Sequence, residues 1–140
     1  MNESASGRRN SPSGLSIFLL CLAFGLALFT AWGPTFEHLS DPEWTQHQKL
    51  HVFREVFLAT VFCLAGIALA LGPLRKSRPY SLEAVGVLGI GVVAGFWVGL
   101  PITGIGKDEL APYINHGAQL AGLLGGYWLA RSSQRGRRLP

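Results

Sequence analysis

Four long apolar segments separated by short polar stretches dominate the pattern of this chain. They are residues 15–33, 52–74, 82–102 and 111–130. The first holds 19 residues without a charge, enough for a helix to cross about 30 Å of hydrocarbon at a rise of about 1.5 Å per residue. The pattern predicts an all-α integral membrane bundle of four antiparallel transmembrane helices within residues 14–130.

Composition supports a membrane setting. Only 14% of the residues are charged and 49% are hydrophobic, whereas about a quarter of the residues of a soluble domain are charged. The two cysteines, Cys21 and Cys63, fall in separate apolar segments and form no CxxC pair. We therefore predict buried, unreactive thiols rather than a disulfide or a redox site.

The basic residues are distributed unevenly between the two sides of the predicted bundle. Nine of the twelve Lys and Arg residues lie in a disordered N-terminal tail (1–13), the 75–78 turn and a basic C-terminal tail (131–140). The positive-inside rule places this side in the cytoplasm, so both termini are predicted to be cytoplasmic. Because these charges flank spans, the net charge of +4 does not indicate nucleic-acid binding.

Small residues recur every four positions on the last two segments. Gly91, Gly95 and Gly99 form one stripe, and the fourth segment carries two more: Gly117/Ala121/Gly125 and Ala118/Gly122/Gly126. Such stripes let a neighbouring helix approach closely. We expect a helix packed against Gly95, and the same faces also suit a homo-oligomer or a larger membrane complex.

Polar residues occur at unusual depths in the predicted spans. His47, His51 and Glu55 are spaced by four, so a helix places them on one face. Counting at about 1.5 Å per residue from the basic side puts Glu55 about 30 Å up, at the outer boundary of the hydrocarbon. His116 is only about 22 Å up, level with Trp97. Polar residues at such depth usually face the bundle interior or a wet cavity.

We therefore predict a pocket that opens outward. His51, Glu55 and His116 are its candidate catalytic residues. Its candidate ligand-binding residues are His47, Trp97, Asn115 and Gln119. Alternatives remain for each group. His47 and His51 could belong to a solvated helix end, and Arg54 and Glu55 could form an interfacial ion pair. His116 and Gln119 could form interhelical hydrogen bonds that fix the packing.

The residues at this pocket restrict its chemistry. A metal site needs three or four converging ligands, and four histidines are too few for the membrane di-iron pattern, so we predict no metal and leave the cofactor open. There is no nucleophile elbow and no phosphate-binding loop. One histidine and one carboxylate are enough for acid–base chemistry, and His51 lies one turn from Glu55.

The four-span layout, with Asp41-Pro42-Glu43-Trp44 before His47 and His51, resembles the small bacterial membrane proteins called DoxX-like. A fainter resemblance, carried by His51, Glu55 and Trp97, is to emopamil-binding-type sterol isomerases, whose membrane pocket pairs His and Glu near Trp. We predict a multi-pass protein in the lipid bilayer whose outward-facing polar pocket binds an apolar or amphipathic small molecule. An intramembrane acid–base enzyme acting on a lipid-like substrate and an accessory subunit of a membrane complex are the alternatives.

Overall fold

The computed structural model describes residues 11–103 and 110–135. These residues form four helices and no strand: α1 Gly14–Ser40, α2 Gln46–Leu69 with a π-helical turn Ala70–Leu74, α3 Ser81–Thr103 and α4 Leu110–Arg135. Most of the predicted N-terminal tail, the acidic part of the third loop (104–109) and the last five residues lie outside the described residues.

Three of these helices are long and apolar enough to cross a membrane: Gly14–Ser40, Gln46–Leu74 and Ser81–Gly99. Large apolar side chains such as Phe29, Val87 and Ile90 are exposed on their surfaces, as expected for helices that face lipid. α4 is long enough, at 26 residues, but is less apolar. The reason lies in its sequence, because Asn115, His116 and Gln119 occupy positions where a lipid-embedded helix usually has leucine.

Each helix packs against its neighbours in chain order, and α4 packs against α1 to close the ring. α1 also reaches α3 across the centre, whereas α2 and α4 form no contact within the described residues. The buried core is small and centres on Leu20, Phe24, Cys63 and Leu123. Both cysteines are free thiols, Cys63 buried and Cys21 half-buried.

Two glycines let α1 approach its neighbours closely. The ring of Phe24 lies over Gly66 of α2, where any Cβ would collide with it. Gly126 of α4 faces Leu20, and a Cβ built on it would lie 2.8 Å from the Leu20 Cγ and 3.1 Å from its backbone nitrogen. A small residue is therefore required at both contacts, the usual basis of close helix packing in membranes.

The expectation for Gly95 is wrong. A Cβ at Gly95 or Gly99 would meet nothing within 4 Å, and one at Gly91 would only touch Phe62 at 3.9 Å. The glycines of α3 that do carry contacts are Gly86 and Gly89, which face α4. A four-residue repeat identifies a stripe, but it does not say which side of the helix faces the bundle.

Two helices extend beyond the predicted spans. The first predicted span ends at residue 33, but α1 continues through Pro34 to Ser40. Pro34 cannot donate the usual bond to the Thr30 carbonyl, and the Thr35 hydroxyl donates to the Ala31 carbonyl at 2.7 Å beside it. α4 continues to Arg135, so the first half of the expected C-terminal tail is helical.

A capping box fixes the start of α2. The Thr45 hydroxyl accepts from the Gln48 backbone N–H, and the Gln48 side chain accepts from the Thr45 N–H. This pair satisfies two free donors at the helix start. It thereby fixes the start of the helix that carries His47 and His51 on one face.

Candidate functional site

A cleft of about 550 Å³ lies between the second half of α1 and the first half of α4. The start of α1 lies near Leu71 and Arg75, so this cleft is at the opposite end of the bundle from the basic turn. Its apolar lining includes Ala27, Phe29, Ala59, Val92 and Ala111. Its polar lining consists of Thr30, Asn115, His116 and Gln119, with no charged side chain among the described residues.

A chain of side-chain hydrogen bonds connects the polar residues of the cleft. His116 Nδ1 lies 3.2 Å from Gln119 Oε1, and Gln119 Nε2 donates to Thr30 Oγ1 at 3.0 Å. The Thr30 hydroxyl in turn donates to the Leu26 carbonyl at 2.8 Å. Gln119 is only 1% exposed, so these bonds supply the partners that a buried amide requires. The bonds join α4 to α1 at the base of the cleft.

The imidazole of His116 packs flat against Phe96 of α3. Their ring centroids are 3.8 Å apart and their planes differ by 17°. Phe96 also contacts Tyr113 edge-on, with centroids 5.9 Å apart. The hydrogen bond to Gln119 and the stack on Phe96 together hold the His116 ring in one orientation, as a binding site requires.

Pro34 contributes a backbone acceptor next to these side chains. Because proline has no N–H, the carbonyl of Thr30, four residues earlier, lacks its regular helical donor. Thr30 and Pro34 both line the cleft. A carbonyl that loses its regular helical donor needs another one, which solvent or a ligand can supply.

Three of the seven predicted site residues, His116, Gln119 and Asn115, line this cleft. Trp97, expected as a wall, does not line it and is 36% exposed. Phe96 does not line the cleft either, but it is the aromatic that stacks on His116. Phe96 and Trp97 are adjacent in the chain, so they lie at similar depth but point about 100° apart, and only packing decides which one meets His116.

The structure brings His47 and His51 together, but away from the cleft. Their Nε2 atoms are 3.0 Å apart, and Arg54 Nη2 approaches His51 Nδ1 at 3.4 Å. One imidazole must donate and the other accept in this contact, so the bond requires that at least one ring be neutral. All three side chains are exposed, as in the alternative of a solvated helix end.

Glu55 does not join His116. It is exposed and forms no hydrogen bond or ion pair within the described residues. α2 and α4 form no contact there either, and the cleft is lined by Ala59 of α2, one turn beyond Glu55. The expected pocket shared by Glu55, His51 and His116 is therefore wrong in its geometry. The reason is topological, since α1 and α3 lie between α2 and α4.

Two residues that complete the site were not predicted as part of it. Thr30 receives the Gln119 amide and Phe96 stacks on His116. Nothing in the spacing of Thr30 distinguishes it from Thr60, which instead accepts from Trp32 Nε1 at 2.9 Å. No three His, Cys, Asp or Glu side chains within residues 11–103 and 110–135 are grouped so as to hold a metal ion.

Comparison with protein-family models, curated proteins and solved structures finds no match to this chain. The resemblances to DoxX-like proteins and to sterol isomerases stay predictions from the sequence. Function must accordingly be argued from the geometry of the cleft.

Proposed function

We propose that the protein is a small multi-pass membrane protein that binds an apolar or amphipathic molecule in the cleft between α1 and α4. The proposal includes four antiparallel spans, both termini in the cytoplasm and a bacterial inner membrane. The positive-inside rule supports the orientation. In that orientation the cleft opens on the outer half of the bilayer.

The proposal requires α4 to be a fourth span despite its polar residues. Gln119 is turned inward against Thr30, whereas Ile114, Leu124 and Trp128 are exposed. Inward polar groups and outward apolar ones are the arrangement found in helices of a membrane bundle. Low apolarity of α4 is thus consistent with a span that contributes polar groups to an internal site.

The observation that carries the proposal is the cleft itself. Apolar side chains from all four helices line it, and a few convergent polar groups lie at its base. This combination is typical of sites for small molecules, in which apolar walls supply affinity and a few polar groups supply orientation. In a bilayer, lipid-like or amphipathic molecules reach such a site directly.

The acid–base alternative has less support. It needs an acid and a base that reach the same substrate, but Glu55 lies on the exposed surface of α2 and no carboxylate lines the cleft within the described residues. The accessory-subunit alternative is favoured by one observation: no described residue lies within 4 Å of a Cβ built on Gly95 of α3. A partner helix against that face is the second candidate function.

A binding experiment with a matched pair of variants tests the cleft. Dodecanol carrying bromine at the end of its tail is added to the protein in lipid nanodiscs, and quenching of tryptophan fluorescence is followed. Trp32 is the reporter, because it lies between the cleft residues Ala31 and Gly33. Ala111→Phe places a ring in the cleft lining. Ala121→Phe adds the same ring at an exposed position of α4 outside it.

We expect saturable quenching in the wild type and in Ala121→Phe, and its loss in Ala111→Phe. Quenching by alcohol that has merely dissolved in the lipid is the same in both variants. Equal, non-saturable quenching in all three proteins would contradict the proposed binding site.

A further inference from the structure

The hydrogen bonds at the base of the cleft run in one direction. The Thr30 hydroxyl has a single proton, which it donates to the Leu26 carbonyl, so towards Gln119 its oxygen can only accept. The Gln119 amide N–H₂ therefore faces Thr30, and its carbonyl faces His116. His116 must donate through Nδ1–H to that carbonyl. The Leu26 carbonyl of α1 thus fixes the tautomer of His116 through three successive hydrogen bonds.

Nε2 is then the only uncommitted polar atom of the imidazole. It has no hydrogen-bond partner within the described residues. Every buried side-chain nitrogen or oxygen of those residues has a partner, so Nε2 is accessible. Since His116 lines the cleft, a ligand there can reach this atom.

The cleft favours the neutral imidazole. No carboxylate lines it among the described residues, and an unpaired charge in apolar surroundings is costly. A neutral ring that donates through Nδ1 accepts through Nε2.

We propose that the molecule bound in this cleft presents a hydrogen-bond donor, and that it is an apolar or amphipathic alcohol whose hydroxyl donates to His116 Nε2. This inference rests on the proposed binding function and adds the chemical class of the ligand. The amide of Asn115 lies on the cleft lining too, but it both donates and accepts and so does not discriminate.

Three tail-brominated probes separate the possibilities, each measured by tryptophan quenching in nanodiscs. Dodecanol donates and accepts, its methyl ether only accepts, and dodecanoate carries a negative charge. We expect dodecanol to bind at least about tenfold more tightly than the ether, the difference made by one satisfied hydrogen bond in an apolar site. Dodecanoate should also bind more weakly than dodecanol, because it has no donor for a neutral imidazole.

Two variants test whether His116 accepts the ligand hydroxyl and whether Thr30 fixes the direction of the hydrogen bonds. His116→Phe keeps an aromatic ring against Phe96 but removes the acceptor, and should reduce dodecanol affinity to that of the ether. Thr30→Val is nearly isosteric and removes the group that fixes the Gln119 amide, so the preference for alcohol over ether should shrink while both ligands still bind.

The outcomes distinguish this inference from the function it rests on. An ether that binds as tightly as the alcohol, or dodecanoate that binds better than either, would overturn the donor requirement and leave the cleft a binding site. Saturable binding of none of the three probes would overturn the binding function and the inference together. An alcohol preference that persists unchanged in both variants would show that another group accepts the hydroxyl.

Discussion

Gln119 of α4 donates a 3.0 Å hydrogen bond to the hydroxyl of Thr30 on α1. The amide is almost completely buried, and this bond is the polar contact between the two helices at the base of the cleft. Apolar packing holds α1 against α4 through Leu20 and Gly126 lower in the bundle. Near the cleft, a hydrogen bond joins α1 and α4 instead.

Replacing Gln119 by Leu should therefore destabilise the protein. A buried hydrogen bond contributes about 1 kcal/mol to the free energy of unfolding, and the substitution also leaves His116 Nδ1–H without its acceptor. Unfolding in mixed micelles measures the effect. A double-mutant cycle with Thr30→Val isolates the interhelical bond, and additive effects of the two changes would contradict a direct contact. Asn115→Leu, at an exposed position, is the control and should change stability by less than about 0.5 kcal/mol.

Gly126 and Gly95 should respond oppositely to the same substitution. Gly126→Ala places a Cβ against the Leu20 side chain and backbone, and overpacking of this kind costs about 1–3 kcal/mol. Gly95→Ala meets open space and should leave stability unchanged or raise it by up to about 1 kcal/mol, since alanine is the better helix former. The free energies of unfolding of the two variants check this. Strong destabilisation by Gly95→Ala would instead show that α3 packs through that face.

Self-association provides a separate test of the Gly95 face. If a second copy docks there, Gly95→Leu should reduce dimer formation in lipid without lowering the stability of the monomer. Crosslinking or single-molecule photobleaching in nanodiscs reports the oligomeric state. An unchanged distribution would remove the accessory-subunit alternative at this surface.

Phe96 rather than Trp97 should support ligand binding. An aromatic stack contributes about 0.5–1.5 kcal/mol. Phe96→Ala frees the His116 ring and should therefore weaken dodecanol binding by about twofold to thirteenfold. Trp97→Ala removes an aromatic that does not line the cleft and should leave the affinity unchanged. The comparison uses the quenching titration, or calorimetry where the loss of Trp97 alters the signal. A larger loss in Trp97→Ala than in Phe96→Ala would reverse the assignment.

Cysteine labelling of intact cells tests the orientation. In a background with Cys21→Ala and Cys63→Ala, an impermeant maleimide should label Glu43→Cys and miss Lys76→Cys. Both positions are exposed, so access across the membrane decides the result. Labelling at position 76 without permeabilisation would place the basic turn outside and contradict the positive-inside assignment.

The sequence predicted where the helices lie along the chain, but it did not predict which helix faces pack against each other. Long apolar segments predicted four transmembrane helices; the described residues form four helices, and three of them are long and apolar enough to cross a membrane. This much could be predicted because length and apolarity are local properties. The end of α1 was wrong because proline usually ends a helix, while in this chain α1 continues through Pro34. A local rule on proline cannot include the packing that keeps α1 helical.

The candidate site also divides into contacts within one helix, which could be predicted, and contacts between helices, which could not. His116 and Gln119 were paired correctly from their spacing, since residues three apart on a helix share a face. Their partners Thr30 and Phe96 lie on other helices, and only the rotation of each helix within the bundle selects them. Depth made Trp97 a candidate and its spacing from His51 made Glu55 one, but neither residue lines the cleft.

The hydrogen-bond chain that starts at His116 ends on the carbonyl of Leu26, which has no proton to pass on. The Gln119 amide in its middle does not exchange protons readily. A proton arriving at the imidazole therefore has no route along these hydrogen bonds towards the end of the bundle that holds the basic turn. Polar groups deep in a bilayer can open a leak in a transmembrane proton gradient, and this arrangement of donors and acceptors provides no such path between α1 and α4.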